Sequence, residues 1–206
     1  MYAATKTFAM TALVLVLAAC GSPEDANEGN FGEAVQAYLD MQNGLCAAIP
    51  ADQIPFVLQD QATFPRRKSR AEALVDAGLL SKRSTGAQPM SGNGTASATE
   101  YRITDKGKRY LVTNAADRFT QQDAFCTGRY VLVDIEAFTA PSEAMGMKVS
   151  RVVYYYRAEG VADWAKTASL RAAYGNFSDP VQGDIAGRAV LVLTNEGWAH
   201  ERLLGR

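Results

Sequence analysis

Histidine is nearly absent from this 206-residue chain, which contains one histidine, His200, and three cysteines. Nucleophilic triads need a base beside an activated serine or cysteine, and metal centres need several close His, Cys or carboxylate ligands. The sequence also lacks a GxSxG turn and a glycine-rich phosphate loop. We therefore expect no catalytic residue, no metal ion and no cofactor.

Long apolar runs are also missing, since none reaches the roughly 20 residues of a membrane-spanning helix. The main one extends from Phe8 to Leu17, follows Lys6 and leads into Leu17-Ala18-Ala19-Cys20. A basic start, a short apolar segment and small residues are typical of a secretory signal. The four residues ending at Cys20 resemble the lipobox of bacterial lipoproteins. The resemblance implies removal of residues 1–19, diacylglycerol on Cys20 and acylation, for example by palmitate, of the new amino terminus.

This resemblance implies a lipid-anchored protein of the bacterial cell envelope, because two or more acyl chains hold a protein firmly on a membrane. Lipoprotein families associate Asp after the lipidated cysteine with retention in the inner membrane. Gly21 stands there, so we expect the outer membrane, facing the periplasm. The alternatives are an ordinary signal peptide with a coincidental cysteine and an uncleaved apolar anchor.

Two cysteines remain after Cys20, and neither belongs to a CxxC motif. An exported chain meets an oxidising compartment, so a disulfide between Cys46 and Cys126 is the natural pairing. Such a bridge would close a loop of about 80 residues, worth roughly 4 to 5 kcal/mol in the chain-entropy view. Two separate buried thiols are the alternative.

Basic residues are absent between Cys20 and Pro65, where seven acidic residues occur, although the net charge of the whole chain is only −1. The densest basic cluster follows at once and consists of Arg66, Arg67, Lys68 and Arg70. We interpret it as a solvated helix start. The alternative is a contact with an anionic partner such as lipid headgroups, lipopolysaccharide or an acidic protein.

The N-terminal half begins with a polar segment, residues 20–30, that is typical of a flexible tether. Apolar spacing then predicts a helix over residues 31–43, which Gly44 can end. A second helix is predicted to begin at Ser69, with Glu72 completing a capping box, and to break at Gly78. Extended runs at 80–84 and 99–103 enclose a loop over 86–97, and Thr104 opens a further helix.

The segments ALVDAGLLSKR (residues 73–83) and TEYRITDKGKRYL (residues 99–111) resemble winged-helix domains of MarR- and PadR-type regulators. The resemblance covers about fifty residues and implies a winged-helix-like lobe, which we place at 31–118. Members of that family usually bind DNA. A lipidated protein outside the cytoplasm meets no chromosomal DNA, so we expect a scaffold that binds no nucleic acid. DNA binding is the alternative if the signal is not used.

The C-terminal half, residues 119–206, has the period-2 pattern of strands at 131–136, 149–157, 184–194 and 198–204, with a helix predicted over 161–174. These elements predict a ββαββ antiparallel sheet with one covering helix. The predicted fold class is therefore α+β, with a helical, winged-helix-like N-terminal lobe followed by this sheet lobe.

Two groups of residues in this half are candidates for function. Alternation places Asp134 and Glu136 on one side of a strand, about 7 Å apart, and we interpret them as part of a solvated sheet face; a pair of glycosidase carboxylates is the alternative. The aromatic residues Tyr154, Tyr156 and Trp198 are candidates for a binding face. We expect a non-enzymatic binding or assembly module, whose partner is another envelope protein or an anionic envelope component. A glycan-acting cell-wall enzyme is the rival hypothesis.

Overall fold

A computed structural model of the chain describes residues 22–59, 65–89, 95–115, 122–177 and 183–205. The predicted signal peptide and Cys20 lie outside these ranges. The described residues form a mixed α+β fold that is rich in sheet. Its helices and strands follow in the order α1 (Glu28–Asp40), β1 (Leu45–Ala48), β2 (Phe56–Gln59), α2 (Pro65–Asp76), β3 (Leu80–Pro89), β4 (Thr95–Ile103), α3 (Asp105–Lys108), β5 (Leu111–Val112), β6 (Ala124–Thr127), β7 (Arg129–Phe138), β8 (Ser142–Ala144), β9 (Met147–Glu159), α4 (Ala168–Ala173), β10 (Ile185–Thr194) and β11 (Gly197–His200).

The described strands form three antiparallel sheets. The first has the order β1-β6-β5, the second β2-β4-β3, and the third β11-β10-β9-β7 with β8 paired to β9. In the first sheet Cys46 lies directly opposite Cys126, and the two residues form a disulfide. The predicted pairing of these cysteines is therefore confirmed, and it joins the segment after α1 to the strand before β7.

Helix α1 begins three residues before the predicted position, because Asn27 caps it by accepting a hydrogen bond from the backbone N–H of Asn30 (2.9 Å). The Asn30 side chain in turn donates to the carbonyl oxygens of Ser22 and Asp25, each at 2.8 Å. The described part of the predicted tether, residues 22–30, thus forms a hydrogen-bonded turn and the first helical turn. Polar composition alone does not reveal this cap.

Helix α2 begins at Pro65 rather than at Ser69, since proline is well suited to the first helical position. The predicted capping box is therefore wrong. Ser69 instead donates to the carbonyl oxygen of Arg66 within the helix (3.1 Å), while Glu72 accepts from Lys82 (2.6 Å) and Tyr101 (2.7 Å).

The hairpin of β3 and β4 is longer than predicted. The two strands pair as far as Pro89 and Thr95, with a bulge between Ser84 and Gly86, so most of the segment predicted as a loop belongs to the ladder. Thr104 caps α3 as predicted, since its side chain accepts from the backbone N–H of Gly107 at 3.0 Å.

The helix that covers the third sheet is α1, and the prediction that residues 161–174 do so is wrong. That segment is divided into a 3-10 helix (Asp163–Lys166) and α4, because Thr167 has an extended backbone. Its buried residues Trp164 and Leu170 pack instead in the core that includes α2 and β1. The core between α1 and the third sheet consists of Phe31, Ala34, Val35, Leu39, Ile135, Val152, Tyr154, Ala189, Leu191 and Trp198. Each core thus draws residues from both sides of position 118.

Strand β7 departs from the simple alternation that the sequence suggests. Its pairing with β9 shifts between Leu132 and Asp134 and again between Ile135 and Ala137, so each bulge inserts one extra residue. Ile135 is buried but Val133 is 40% exposed. Strict alternation would place both side chains on the buried face, and the bulge at Val133 separates them.

Candidate functional site

A cleft of about 340 Å³ opens between the C-terminal end of α1 and the third sheet. Four tyrosines from three separate segments line it, together with two arginines and one histidine. The lining consists of Tyr38, Leu39, Gln42, Tyr130, Tyr154, Tyr156, Gly187, Arg188, His200 and Arg202. We refer to it as the tyrosine cleft.

Strand alternation positions two of the tyrosines. Tyr154 and Tyr156 are two residues apart on β9, so both rings lie on the face covered by α1, and their centroids are 5.8 Å apart. Tyr130 at the start of β7 contacts the Tyr156 ring edge to face, with centroids 5.2 Å apart. The result is a continuous wall of three rings.

Glycine at position 187 makes room for the first of these rings. Gly187 lies directly opposite Tyr154 in the β9–β10 ladder, and a Cβ atom there would collide with the Tyr154 ring and lie 2.8 Å from its hydroxyl oxygen. The ring therefore lies flat over β10. Any side chain at position 187 would displace it.

Helix α1 supplies the facing wall and is fixed by Gln36. The side-chain oxygen of Gln36 accepts from the backbone N–H of Leu132 at 2.8 Å, and its amide donates to the carbonyl oxygen of Tyr130 at 3.2 Å. These two bonds tie the helix to the start of β7. They consequently set the distance between Tyr38 on the helix and Tyr130 on the sheet.

The third wall consists of Tyr38, His200 and Arg202. The rings of Tyr38 and His200 are stacked with centroids 3.9 Å apart, and Arg202 donates to the Tyr38 hydroxyl at 3.1 Å. Nδ1 of His200 accepts from the backbone N–H of Arg202, also at 3.1 Å. Burial lowers the pKa of His200 below its usual 6.5, so the imidazole is neutral at neutral pH, with its remaining proton on Nε2.

The hydroxyl groups of Tyr130, Tyr154 and Tyr156 stay protonated and can donate hydrogen bonds. Burial raises the pKa of Tyr130 and of Tyr154 to about 12 and raises that of Tyr156, with smaller contributions from the neighbouring tyrosines. Within the described ranges, none of these three hydroxyls makes a hydrogen bond to the protein. Among the described residues that line the cleft there is no Asp or Glu, whereas two are arginines. The cleft therefore offers hydrogen-bond donors and positive charge.

Of the three aromatic residues predicted to form a binding face, the structure brings only Tyr154 and Tyr156 together. Trp198 is 8% exposed and lies toward the opposite end of the sheet, where its indole N–H donates to the carbonyl oxygen of Glu24 at 3.1 Å and its ring contacts Phe31. Trp198 therefore lies on the same face of the sheet as Tyr154 but outside the tyrosine cleft, and the chain before α1 covers it.

Sequence reasoning missed Tyr38, Tyr130 and Arg202, and it treated His200 as a residue of no special role. These residues come from the end of α1, the start of β7 and the chain after β11. No local spacing relates them, so only tertiary structure brings them together. The single signal within reach was the concentration of aromatic residues at Tyr154-Tyr155-Tyr156.

The basic cluster lies on the first turns of α2, and protein contacts account for part of it. Arg67 donates to the carbonyl oxygen of Pro50 at 3.0 Å, and the Arg70 guanidinium lies 5.1 Å from the centre of the Tyr174 ring. Arg66 is exposed and Lys68 is half-buried. The cluster thus anchors α2 to its neighbours while leaving charge at the surface.

Asp134 and Glu136 are both exposed. Asp134 pairs with Tyr155, so it lies on the sheet face away from α1 and away from the tyrosine cleft. The bulge after Ile135 leaves Glu136 unpaired, which breaks the alternation on which their predicted common side rested. This placement gives no support to the glycosidase hypothesis.

In the part of the chain that the structure describes, no three His, Cys, Asp or Glu side chains are grouped as a metal ion would need, and no helix is long and apolar enough to cross a membrane. No protein-family model, no curated protein and no solved structure matches the chain.

Proposed function

We propose that this chain is a non-enzymatic lipoprotein of the bacterial cell envelope, anchored through Cys20, and that it binds a small polar ligand in the tyrosine cleft. The lipobox-like residues support the anchor, and the disulfide is consistent with an oxidising compartment. The observation that carries the binding role is the convergence of Tyr130, Tyr154 and Tyr156 hydroxyls without protein partners. None of these hydroxyls is among the fully buried unpaired side-chain atoms of the described residues, so each reaches the open cleft and can donate to an acceptor that enters it.

The chemistry of the lining defines the ligand class. Three phenolic donors, a neutral histidine and the Arg202 guanidinium favour a molecule with several acceptor oxygens that is neutral or negatively charged. The absence of carboxylates from the lining disfavours cations. A volume of about 340 Å³ lies at the lower end of the range for small-molecule sites. Sugars, small carboxylates and phosphates therefore fit better than a peptide or a protein surface.

The N-terminal elements support a winged-helix-like scaffold as part of this proposal. Helix α2 leads directly into the β3–β4 hairpin, the sheet order is β2-β4-β3, and Thr104 and Gly107 begin the next helix. A fold does not determine function. The role that we propose for this lobe is structural, because Tyr130 and Ala158 of the third sheet pack against the core around Trp164, which includes residues of this lobe.

Ligand binding is tested by thermal unfolding of the purified protein against a panel of monosaccharides, small carboxylates and sugar phosphates. A ligand that raises the unfolding temperature is then titrated against a Tyr130→Phe/Tyr156→Phe variant. Two lost hydrogen bonds of about 1 kcal/mol each would weaken binding by about thirtyfold. Tyr155→Phe is the matched control, since Tyr155 lies on the same strand but on the opposite face. Equal weakening by the control would contradict the proposed site, as would the absence of any binder in the panel.

The anchor is tested by mass spectrometry of the membrane-extracted native protein before and after reduction. A mass that starts at Cys20 and includes acyl chains, with a gain of about two hydrogens on reduction, would support the proposal. We expect Cys20→Ala to release the protein from carbonate-washed membranes. An intact Met1 chain with three free thiols would overturn the compartment and make DNA binding by the basic α2 the leading hypothesis.

A further inference from the structure

The hairpin between β8 and β9 ends in an exposed apolar tip. Met145 is 98% exposed and Met147 is 44% exposed. Glu143 and Lys148 lie opposite each other at the base of this tip, and the four residues between them, Ala144–Met147, carry no charge. The hairpin therefore presents two flexible apolar side chains to the solvent, beyond its last charged pair.

The local preferences of the chain oppose methionine at position 145. Its φ of +53° lies in the left-handed region, and Gly146 follows at +74°. Two-residue hairpin turns with positive φ at both positions favour Asn, Asp or Gly, which are polar or lack a side chain. Neither turn geometry nor solvent exposure explains a methionine here. An apolar contact of the tip would explain it.

The strand register places this tip at one end of the third sheet. Val149 of β9 pairs with Val192 of β10, so Met147 lies beyond them, toward the turn at Asn195 and Glu196. That turn joins β10 to β11. The hairpin tip and the β10–β11 turn therefore project from the same end.

The described chain also begins at this end. The carbonyl oxygen of Pro23 lies 3.0 Å from where a Cβ atom of Gly197 would be, and the indole of Trp198 binds the carbonyl oxygen of Glu24. Cys20 precedes Ser22 by two residues, which span at most about 7 Å. A lipid on Cys20 would therefore be tethered to the end of the sheet from which the tip projects.

The tyrosine cleft lies toward the other end of the same sheet. Its residues Tyr38 and His200 belong to the C-terminal ends of α1 and β11, whereas Phe31 and Trp198 mark the beginnings of the same elements. An anchor on Cys20, two residues before Ser22, would consequently leave the cleft directed away from the membrane.

We propose that the Ala144–Met147 tip inserts into the headgroup region of the bilayer that holds the Cys20 lipid. This inference rests on the proposed lipidation. Apolar side chains of interfacial proteins lie about 5–10 Å into the boundary between headgroups and acyl chains, and methionine adapts well to such irregular surroundings. The tip acts as a second contact that fixes the orientation of the folded body and keeps the tyrosine cleft in the aqueous phase.

The experiment uses the full-length lipidated protein reconstituted in phosphatidylcholine vesicles, with and without lipid brominated near the headgroup end of its acyl chains. Tryptophan is placed at the tip by Met145→Trp. The matched control is Leu204→Trp, because Leu204 is also apolar and exposed (40%) but follows β11 at the far end of the sheet. The wild-type signal of Trp164 and Trp198 is subtracted.

We expect brominated lipid to quench Met145→Trp at least about twice as strongly as Leu204→Trp, because bromine quenches only indoles within the bilayer boundary. Equal quenching of the two variants in protein that floats with the vesicles would overturn the proposed insertion while leaving the anchor intact. A Met145→Trp indole shielded from aqueous acrylamide but not quenched by brominated lipid would also overturn it, in favour of a protein contact. Failure of the extracted protein to carry acyl chains on Cys20 would overturn both proposals.

Discussion

Tyr154 and Gly187 face each other across β9 and β10, and the tyrosine ring occupies the space that any side chain at position 187 would need. The ring is 4% exposed, yet its hydroxyl lies at the cleft and makes no hydrogen bond to the described protein. The lack of a side chain at Gly187 thus determines where the hydroxyl of Tyr154, one of the donors of the cleft, lies. A change at Gly187 would therefore alter both the shape of the cleft and the position of the Tyr154 hydroxyl.

Replacing Gly187 with alanine should therefore damage both stability and binding. The added methyl group would collide with the Tyr154 ring, and overpacking of this kind costs about 1–3 kcal/mol of unfolding free energy. The displaced ring would also fill part of the cleft. Urea unfolding and ligand titration measure the two effects. Gly175→Ala is the control, because nothing lies within 4 Å of a Cβ atom at Gly175. Unchanged stability of Gly187→Ala would show that the ring moves freely.

Removal of the Tyr101 hydroxyl should destabilise the second sheet and its helix. Tyr101 is fully buried and donates to Glu72 of α2 at 2.7 Å. Burial raises the pKa of Glu72, but hydrogen bonds from Lys82 and Tyr101 outweigh it, so the net pKa is lowered. Hydrogen bonds to a charged acceptor are worth about 1.5–3 kcal/mol, so we expect Tyr101→Phe to lower the free energy of unfolding by about 1.5 kcal/mol. Tyr155→Phe should lose less than about 0.5 kcal/mol. Similar losses in chemical unfolding for both variants would contradict the role of this bond.

Loss of the disulfide should be the largest single change in stability. Cys46 and Cys126 are separated by 80 residues, so their bridge removes roughly 4 to 5 kcal/mol of loop-closure entropy from the unfolded chain. We expect Cys46→Ser/Cys126→Ser to lose up to that amount in urea unfolding, with the cleft still formed if the protein folds. Wild-type protein unfolded in reducing agent should match the variant. A difference below about 1 kcal/mol would mean that the unfolded state is already compact in this region.

Features with a local cause, or with one possible pairing, could be predicted from the sequence. The cap at Thr104 followed from a side chain that reaches three residues ahead, and the antiparallel pairing of β7 with β9 followed from β-branched and aromatic runs. The cysteines of the disulfide are 80 residues apart, but the bridge could be predicted because only two cysteines remain after Cys20.

Features that depend on which elements pack together in the folded chain could not be predicted from the sequence. Both α1 and the segment 161–174 have apolar faces, and nothing in their periodicity says which one covers the third sheet. The bulges in β7 change the faces of Val133 and Glu136 without a glycine to signal them. The cleft is the extreme case, since Tyr38, Tyr130 and Arg202 are far apart in the chain and meet only after both cores have formed.

Protonation of His200 should make the protein less stable in mild acid. Burial lowers the His200 pKa from 6.5; Glu201 partly offsets this, Arg202 adds to the lowering, and the stacked Tyr38 is uncharged. Because the unfolded chain then binds the proton more tightly than the folded one, stability is fully present above about pH 6.5 and declines as the pH falls toward the folded-state pKa. The decline cannot exceed about 1.4 kcal/mol per pH unit.

Urea unfolding between pH 7.5 and 5.5 measures this decline. His200 is the only histidine of the chain, and the lowered pKa values of Glu72, Glu100, Asp105 and Asp163 begin to affect stability only within about one pH unit of the usual values of 4.5 and 3.8. His200→Gln removes the titrating group and should flatten the profile across the whole range. Tyr155→Phe should keep the wild-type slope. A wild-type profile that is already flat would mean that the charged imidazole is stabilised as well in the cleft as in water.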